Sequence, residues 1–230
     1  MNTLYILSII LNLCILLFIL YLSINGKRYI RAFILKYVIN VRHEQRLSMF
    51  TSCPDKKGAI IFLGNSITEG AHWNELFENN EILNRGIGGD TSMGVLKRIN
   101  EITRHQPSKL FICIGTNDIA FGIKIADVIS NYQLIIDSIK KRTPNTKIYI
   151  QSVLPVGKKV ILGHNNESII KLNQEIKKMC IESTITYVDL HKAFTNKEGC
   201  LKEEYTNDKL HIMGNAYLVW KQLITPYINE

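Results

Sequence analysis

Asp208 and His211 stand three residues apart in Asp208-Lys209-Leu210-His211. On one helical turn that spacing makes side-chain neighbours, so the carboxylate can orient the imidazole and hold the tautomer whose free nitrogen accepts a proton. An Asp-x-x-His pair alone is common, and it gains meaning only beside a group to deprotonate. Ser66, in Gly64-Asn65-Ser66-Ile67-Thr68-Glu69-Gly70, follows an apolar run directly. At a strand-to-helix turn it would be exposed, where a helix N-terminus favours developing negative charge. The same position suits a Ser acting as a helix cap, and the pattern is not the Gly-x-Ser-x-Gly elbow. Arg85-Gly86-Ile87-Gly88-Gly89-Asp90-Thr91-Ser92 is a glycine-rich stretch whose backbone N–H groups could approach a phosphate or an oxyanion, or simply form a tight turn. It lacks the Walker pattern and the dinucleotide spacing. In Gly115-Thr116-Asn117-Asp118, the Asn117 amide can donate to an oxyanion, and Asp118 reads as a turn or cap residue.

Positioning these groups falls to an alternation of short apolar runs and longer helical patterns. Strands are expected at 59–63, 82–84, 110–114, 148–153 and 185–188, and helices at 91–104, 126–142, 166–183 and 216–228. Such alternation argues for a parallel sheet covered by helices on both faces. Function then gathers at the C-terminal ends of the strands, where the Ser66, glycine-rich and Asn117 motifs fall. No internal repeat is found.

Taken together, Gly64-Asn65-Ser66-Ile67-Thr68, Asn84-Arg85-Gly86-Ile87-Gly88-Gly89-Asp90-Thr91, Gly115-Thr116-Asn117-Asp118 and Asp208-Lys209-Leu210-His211 resemble the SGNH (GDSL-type) hydrolases. The resemblance runs from about Ala59 to about Ile228, and extends to Ser152-Val153-Leu154-Pro155-Val156, Gly214-Asn215-Ala216-Tyr217 and Trp220. Within the family the chain looks most like small bacterial lysophospholipase/thioesterase-like acylhydrolases, sialate O-acetylesterases and platelet-activating-factor acetylhydrolase catalytic subunits. The resemblance implies a flavodoxin-like three-layer α/β/α sandwich with a five-stranded parallel sheet. It implies Ser66 as nucleophile, His211 as general base and Asp208 as its orienting carboxylate. Ser66, Gly89 and Asn117 would form the oxyanion hole, with no cofactor and no metal. The family usually has Asp where Asn65 stands; Asn keeps the size and hydrogen-bonding capacity but removes a charge beside the nucleophile. His43, His72, His105, His164 and His191 lie outside the motifs and read as surface or packing residues, as do Asp90 and Asp189.

Of the formal charge of +8, +6 belongs to residues 1–58 and +2 to the other 172. A nucleic-acid binder spreads its basic stripe over the folded body, so that class is disfavoured. Thr3 to Ile24 carries no charged residue and is long enough to cross a bilayer as one helix. Without a basic n-region or a small-residue cleavage site, an uncleaved anchor is expected over 1–26 rather than a signal peptide. Lys27, Arg28, Arg31, Lys36 and Arg42, interleaved with aromatic and β-branched residues, make 27–58 a basic amphipathic segment suited to anionic head groups, or an ordinary packed helix. The hydrolase domain is expected over 59–230. Basic residues on the C-terminal flank lean towards a cytoplasmic body. Five cysteines without a Cys-x-x-Cys pair suggest buried structural thiols rather than disulfides or a metal site. The expected activity is hydrolysis of a small-molecule, lipid or glycan acyl ester, lysophospholipase-like or O-acetylesterase-like. An acyltransferase with the same acyl-enzyme, or a non-catalytic binding module, are the alternatives.

Overall fold

In the computed structural model, each apolar run of the body becomes a strand: β1 (Ile60–Gly64), β2 (Ile82–Gly86), β3 (Lys109–Cys113), β4 (Lys147–Gln151) and β5 (Thr186–Val188). All pair in parallel, in the order β2-β1-β3-β4-β5. The structure describes residues 3–34, 37, 39–158, 160 and 163–230, without the side chains of residues 4 and 27–34. The chain divides into two compact units, Met1–Glu44 and Gln45–Glu230. The first holds α1 (Thr3–Ile34), in which Tyr5–Gly26 is long and apolar enough to cross a membrane. Of the basic residues expected to face head groups, Lys27, Arg28, Arg31 and Lys36 have side chains outside the described residues. Helix α2 (Asn40–Ser52) follows.

Helices line both faces of the sheet because successive strand residues point to opposite sides. Ile61 and Leu63 of β1, with Leu110 and Ile112 of β3, face a core shared with α5 (Ser92–Lys97), α6 (Ile99–Thr103), α8 (Ile125–Arg142) and α9 (Asn166–Glu182). Ile60, Phe62, Phe111 and Tyr149 face the other way, towards α3 (Ser66–Glu69), α4 (Trp73–Leu76), α10 (His191–Phe194) and α11 (Gly214–Asn229). Helix α7 (Thr116–Ala120) follows β3. On the second face, in-register Phe62, Phe111 and Tyr149 stack across three strands at 5.0 and 4.6 Å, and Trp73 stacks on Phe62 at 4.2 Å. Offset ring pairs of this kind add to the burial itself, about 0.5–1.5 kcal/mol each.

The expected three-layer sandwich is therefore present. The one long helix expected over 91–104 is instead two, α5 and α6, broken at Arg98 (φ −104°, ψ 15°). The buried Arg98 side chain pairs with Asp90 and donates to carbonyls at the ends of β1 and β2, tertiary partners to which helical periodicity is blind. The short helices α3, α4, α7 and α10 also escape a pattern search, being only one turn or so long.

Candidate active site

The sheet order reverses direction between β1 and β3, and loops leaving that point part to opposite faces and open a crevice. Ser66 begins α3 directly beyond β1, and Asn117 lies in α7 beyond β3. Across the crevice, Ser66 Oγ is 2.9 Å from His211 Nε2, and His211 Nδ1 is 2.6 Å from Asp208 Oδ2. An ionised carboxylate only accepts hydrogen bonds, so Nδ1 carries the ring proton and Nε2 is left to accept from the serine hydroxyl. The Asp208–His211 segment is a bend, not the helical turn expected from the spacing. Lys209 sits in the left-handed region (φ 72°), and Asp208 Oδ1 accepts the backbone N–H groups of Leu210 (2.9 Å) and His211 (2.7 Å). The carboxylate thus folds the bend with one oxygen and holds the imidazole with the other. Partial burial opposes ionisation of Asp208, but the hydrogen bonds from the His211 ring and the two N–H groups outweigh it and hold the carboxyl at about 2. Helix α11 returns from this bend to the serine: Tyr217 Oη donates to Ile67 O at 2.6 Å.

The glycine-rich loop after β2 is tied to both neighbouring strand ends. Ile87 N donates to Gly64 O (3.1 Å), and Asn117 Nδ2 donates to Asp90 O (2.8 Å). Arg98, fully buried, pairs with the Asp90 carboxylate at 2.8 Å and donates to Gly64 O and Arg85 O. Between these ties Gly89 adopts φ +78°, a conformation that any side chain would strain. Neither its N–H nor that of Ser66 has a hydrogen-bond acceptor among the described residues. Gly86 answers a different need: a Cβ there would stand 2.2 Å from Glu69 N and 2.6 Å from Glu69 Cα. Only glycine lets the serine-bearing turn lie on the end of β2. Such an arrangement can activate a hydroxyl and offer preorganised donors to an anion formed beside it.

A sequence model of the GDSL-like lipase/acylhydrolase family matches residues 62–217. The chain belongs to that family. It is an acylhydrolase, an enzyme that hydrolyses ester bonds. It is 28% identical over 172 residues to the platelet-activating factor acetylhydrolase IB subunit alpha2 of Homo sapiens, covering 72% of this chain and 73% of that one. A structure from Streptococcus pneumonia described as a platelet activating factor superposes with a TM-score of 0.75 at 26% identity, over 88% of this chain and 98% of that one. A GDSL-like lipase from Bacteroides thetaiotaomicron, 24% identical, shares the fold with a TM-score of 0.72 over 81% and 97% of the two chains.

Asn65 is 3% exposed and caps α3 by accepting the Ile67 N–H at 3.0 Å. A neutral amide performs that capping without burying a charge. Asp118, expected at a turn or cap, lies in α7 and accepts the N–H of Ser92, the first residue of α5. It is fully buried and also accepts the Ser92 hydroxyl, tying α7 to the start of α5. Burial raises its pKa against the pull of those hydrogen bonds. Asp189 accepts the Lys192 N–H, and His105 is buried beside Glu101. Cys113 and Cys180 are buried, their thiols pushed up by burial to about 12 and about 11, whereas Cys14 is exposed and Cys53 and Cys200 half-buried. No cluster suited to a metal ion occurs among the described residues.

Sequence reasoning missed three residues that build the site. Arg98 clamps the glycine-rich loop. Asn84 donates to the carbonyls of Thr68, Glu69 and Ala71 and accepts the Gly86 N–H, closing the end of α3. Glu69 accepts the Gly88 N–H. Asn84 and Glu69 stood within the motifs, yet nothing in one sequence distinguishes a brace from a bystander.

Proposed function

We propose that this acylhydrolase is a membrane-anchored serine esterase working through Ser66, His211 and Asp208. The observation that carries the reading is the unbroken chain of contacts from Ser66 Oγ through the imidazole to Asp208, 2.9 and 2.6 Å. Ser66 Oγ attacks the ester carbonyl while its proton passes to His211 Nε2. The oxyanion forms against the N–H groups of Ser66 and Gly89 and the amide of Asn117. On collapse, the imidazolium gives its proton to the leaving alcohol, and a water activated by the same nitrogen then frees the acid. Asp208 stays ionised throughout and stabilises the imidazolium.

For the substrate we favour an acetyl or other short acyl ester of a lipid. The acetylhydrolase name of the relatives supports a short acyl group, and the apolar span Tyr5–Gly26 supports work at a membrane surface. The basic residues following that span favour a cytoplasmic body. The test is hydrolysis of short, medium and long acyl esters by the full chain in detergent, with Ser66→Ala as control. Expected are a preference for short acyl groups and no acyl-enzyme in Ser66→Ala. Undiminished hydrolysis by that variant would overturn the triad, and a preference for long chains would overturn the substrate reading. Digestion of the body by protease added outside intact cells would refute the cytoplasmic placement.

A further inference from the structure

Helix α2 reaches the glycine-rich loop through a single carboxylate. Glu69, three residues after Ser66, accepts the Gly88 backbone N–H on Oε2 at 2.7 Å, while its Oε1 lies 3.0 Å from Arg46 Nε. The Glu69 side chain is only 11% exposed, so this ion pair is screened less than one on an open surface. Arg46 is itself seated: its guanidinium lies 4.8 Å from the ring centre of the buried Phe50, and the Arg85 guanidinium of β2 lies 4.6 Å from the same ring. Arg104 donates to the Phe50 and Cys53 carbonyls, fixing the end of α2 to α6.

This bond is made where the loop most needs one. Gly88 and Gly89 are adjacent residues with the widest backbone freedom of any pair, yet Gly89 must hold φ +78° for its N–H to point at one place. Downstream the loop is fixed at Asp90 by Asn117, Arg98 and the Asp90 N–H to Ile87 O bond. Upstream of Gly89, Ile87 N–H is held by Gly64 O, and the Gly88 N–H, on the residue next to Gly89, is held by Glu69.

We propose that Glu69 is a positioning residue for ester hydrolysis, setting the Gly88-Gly89 backbone that supplies an oxyanion donor, with Arg46 of α2 holding its carboxylate in place. The inference rests on the oxyanion role given to Gly89 above. Helix α2, which follows the apolar span in the chain, is thereby a working part of the catalytic apparatus.

The test compares kcat, KM and the affinity for a trifluoromethyl ketone, which forms a tetrahedral adduct with the serine, in the full-length enzyme and its variants. Glu69→Ala is expected to lower kcat and ketone affinity together, by roughly 10- to 100-fold, with KM within about threefold. Glu69→Gln keeps an acceptor oxygen for Gly88 and is expected to restore most of that loss. Arg46→Ala, which leaves the tether but frees it, is expected to lie between, and carries the test if Glu69→Ala does not fold. A brace of purely structural importance would lower the melting temperature and leave kcat and ketone affinity of the folded enzyme intact; that result overturns the proposal. A wild-type enzyme that hydrolyses no ester would bring down the parent reading and this one with it. An active wild type matched in kcat by Glu69→Ala and Arg46→Ala would bring down this one alone.

Discussion

Asn117, proposed above as an oxyanion donor, tests that role through its side-chain amide, which belongs to no strand or helix hydrogen bond. One of its protons is committed to Asp90 O, which fixes the amide plane and leaves the second to point elsewhere. Asn117→Ala is expected to lower kcat roughly 100- to 1,000-fold with little effect on KM, as measured on any accepted ester. A change confined to KM would remove it from the proposed oxyanion hole. Asp208 makes a prediction in pH. Its folded value of about 2 lies below the ordinary 3.8, so the folded state binds this proton more weakly than the unfolded chain does. The stability it contributes is complete above roughly pH 4 and is lost as pH falls towards 2. Thermal melts of wild type and Asp208→Asn should therefore differ clearly at about pH 4 and above and converge as pH falls towards 2. A gap that persists unchanged to about pH 2.5 would contradict the depressed value. At this scale the sequence offered residue types well and contacts poorly: the motifs singled out Ser66, Asn117 and His211 as candidates, whereas Glu69 and Arg98 act through partners 19 and 8 residues away along the chain.

Among the elements, the serine-bearing turn α3 depends on what surrounds it rather than on itself. A single helical turn has little stability of its own. Its placement comes from Asn65 at one end, Asn84 at the other, Tyr217 from α11, and the absence of a side chain at Gly86. Gly86→Ala places a methyl 2.2 Å from the Glu69 nitrogen, a backbone atom that cannot swing aside. It is expected to destabilise the protein by about 1–3 kcal/mol and to cost activity beyond the loss of folded enzyme. Chemical denaturation alongside kcat would check this, and an unaltered kcat would mean that α3 can shift without disturbing Ser66. The central strands were readable because β1 and β3 are short apolar runs buried on both faces, and β1, β2 and β3 fall within a residue or two of expectation. The break between α5 and α6 was not, since Arg98 departs from the helix to meet β1 and β2.

On the scale of the whole molecule, the apolar span Tyr5–Gly26 lies in one of the two compact units and the Ser66–His211–Asp208 contacts in the other. The proposed anchor predicts that the full chain sediments with membranes and is released by detergent, while a chain lacking residues 1–26 fractionates differently. Equal partitioning of the two would refute the anchor, and a membrane-free mature protein shortened at its N-terminus would point to a cleaved signal instead. The amino-acid sequence by itself determined the α/β class, the apolar N-terminal helix and the order of the four motifs, because hydrophobic periodicity and glycine placement are local properties. Only the tertiary structure decided that Ser66, His211 and Asp208 stand within hydrogen-bonding distance, that Asp208 shapes a bend rather than a helical turn, and that Glu69 joins Arg46 to the glycine-rich loop. Those contacts join residues as far as 145 positions apart, and their distances are set by how the sheet and its helices pack, which no local pattern encodes.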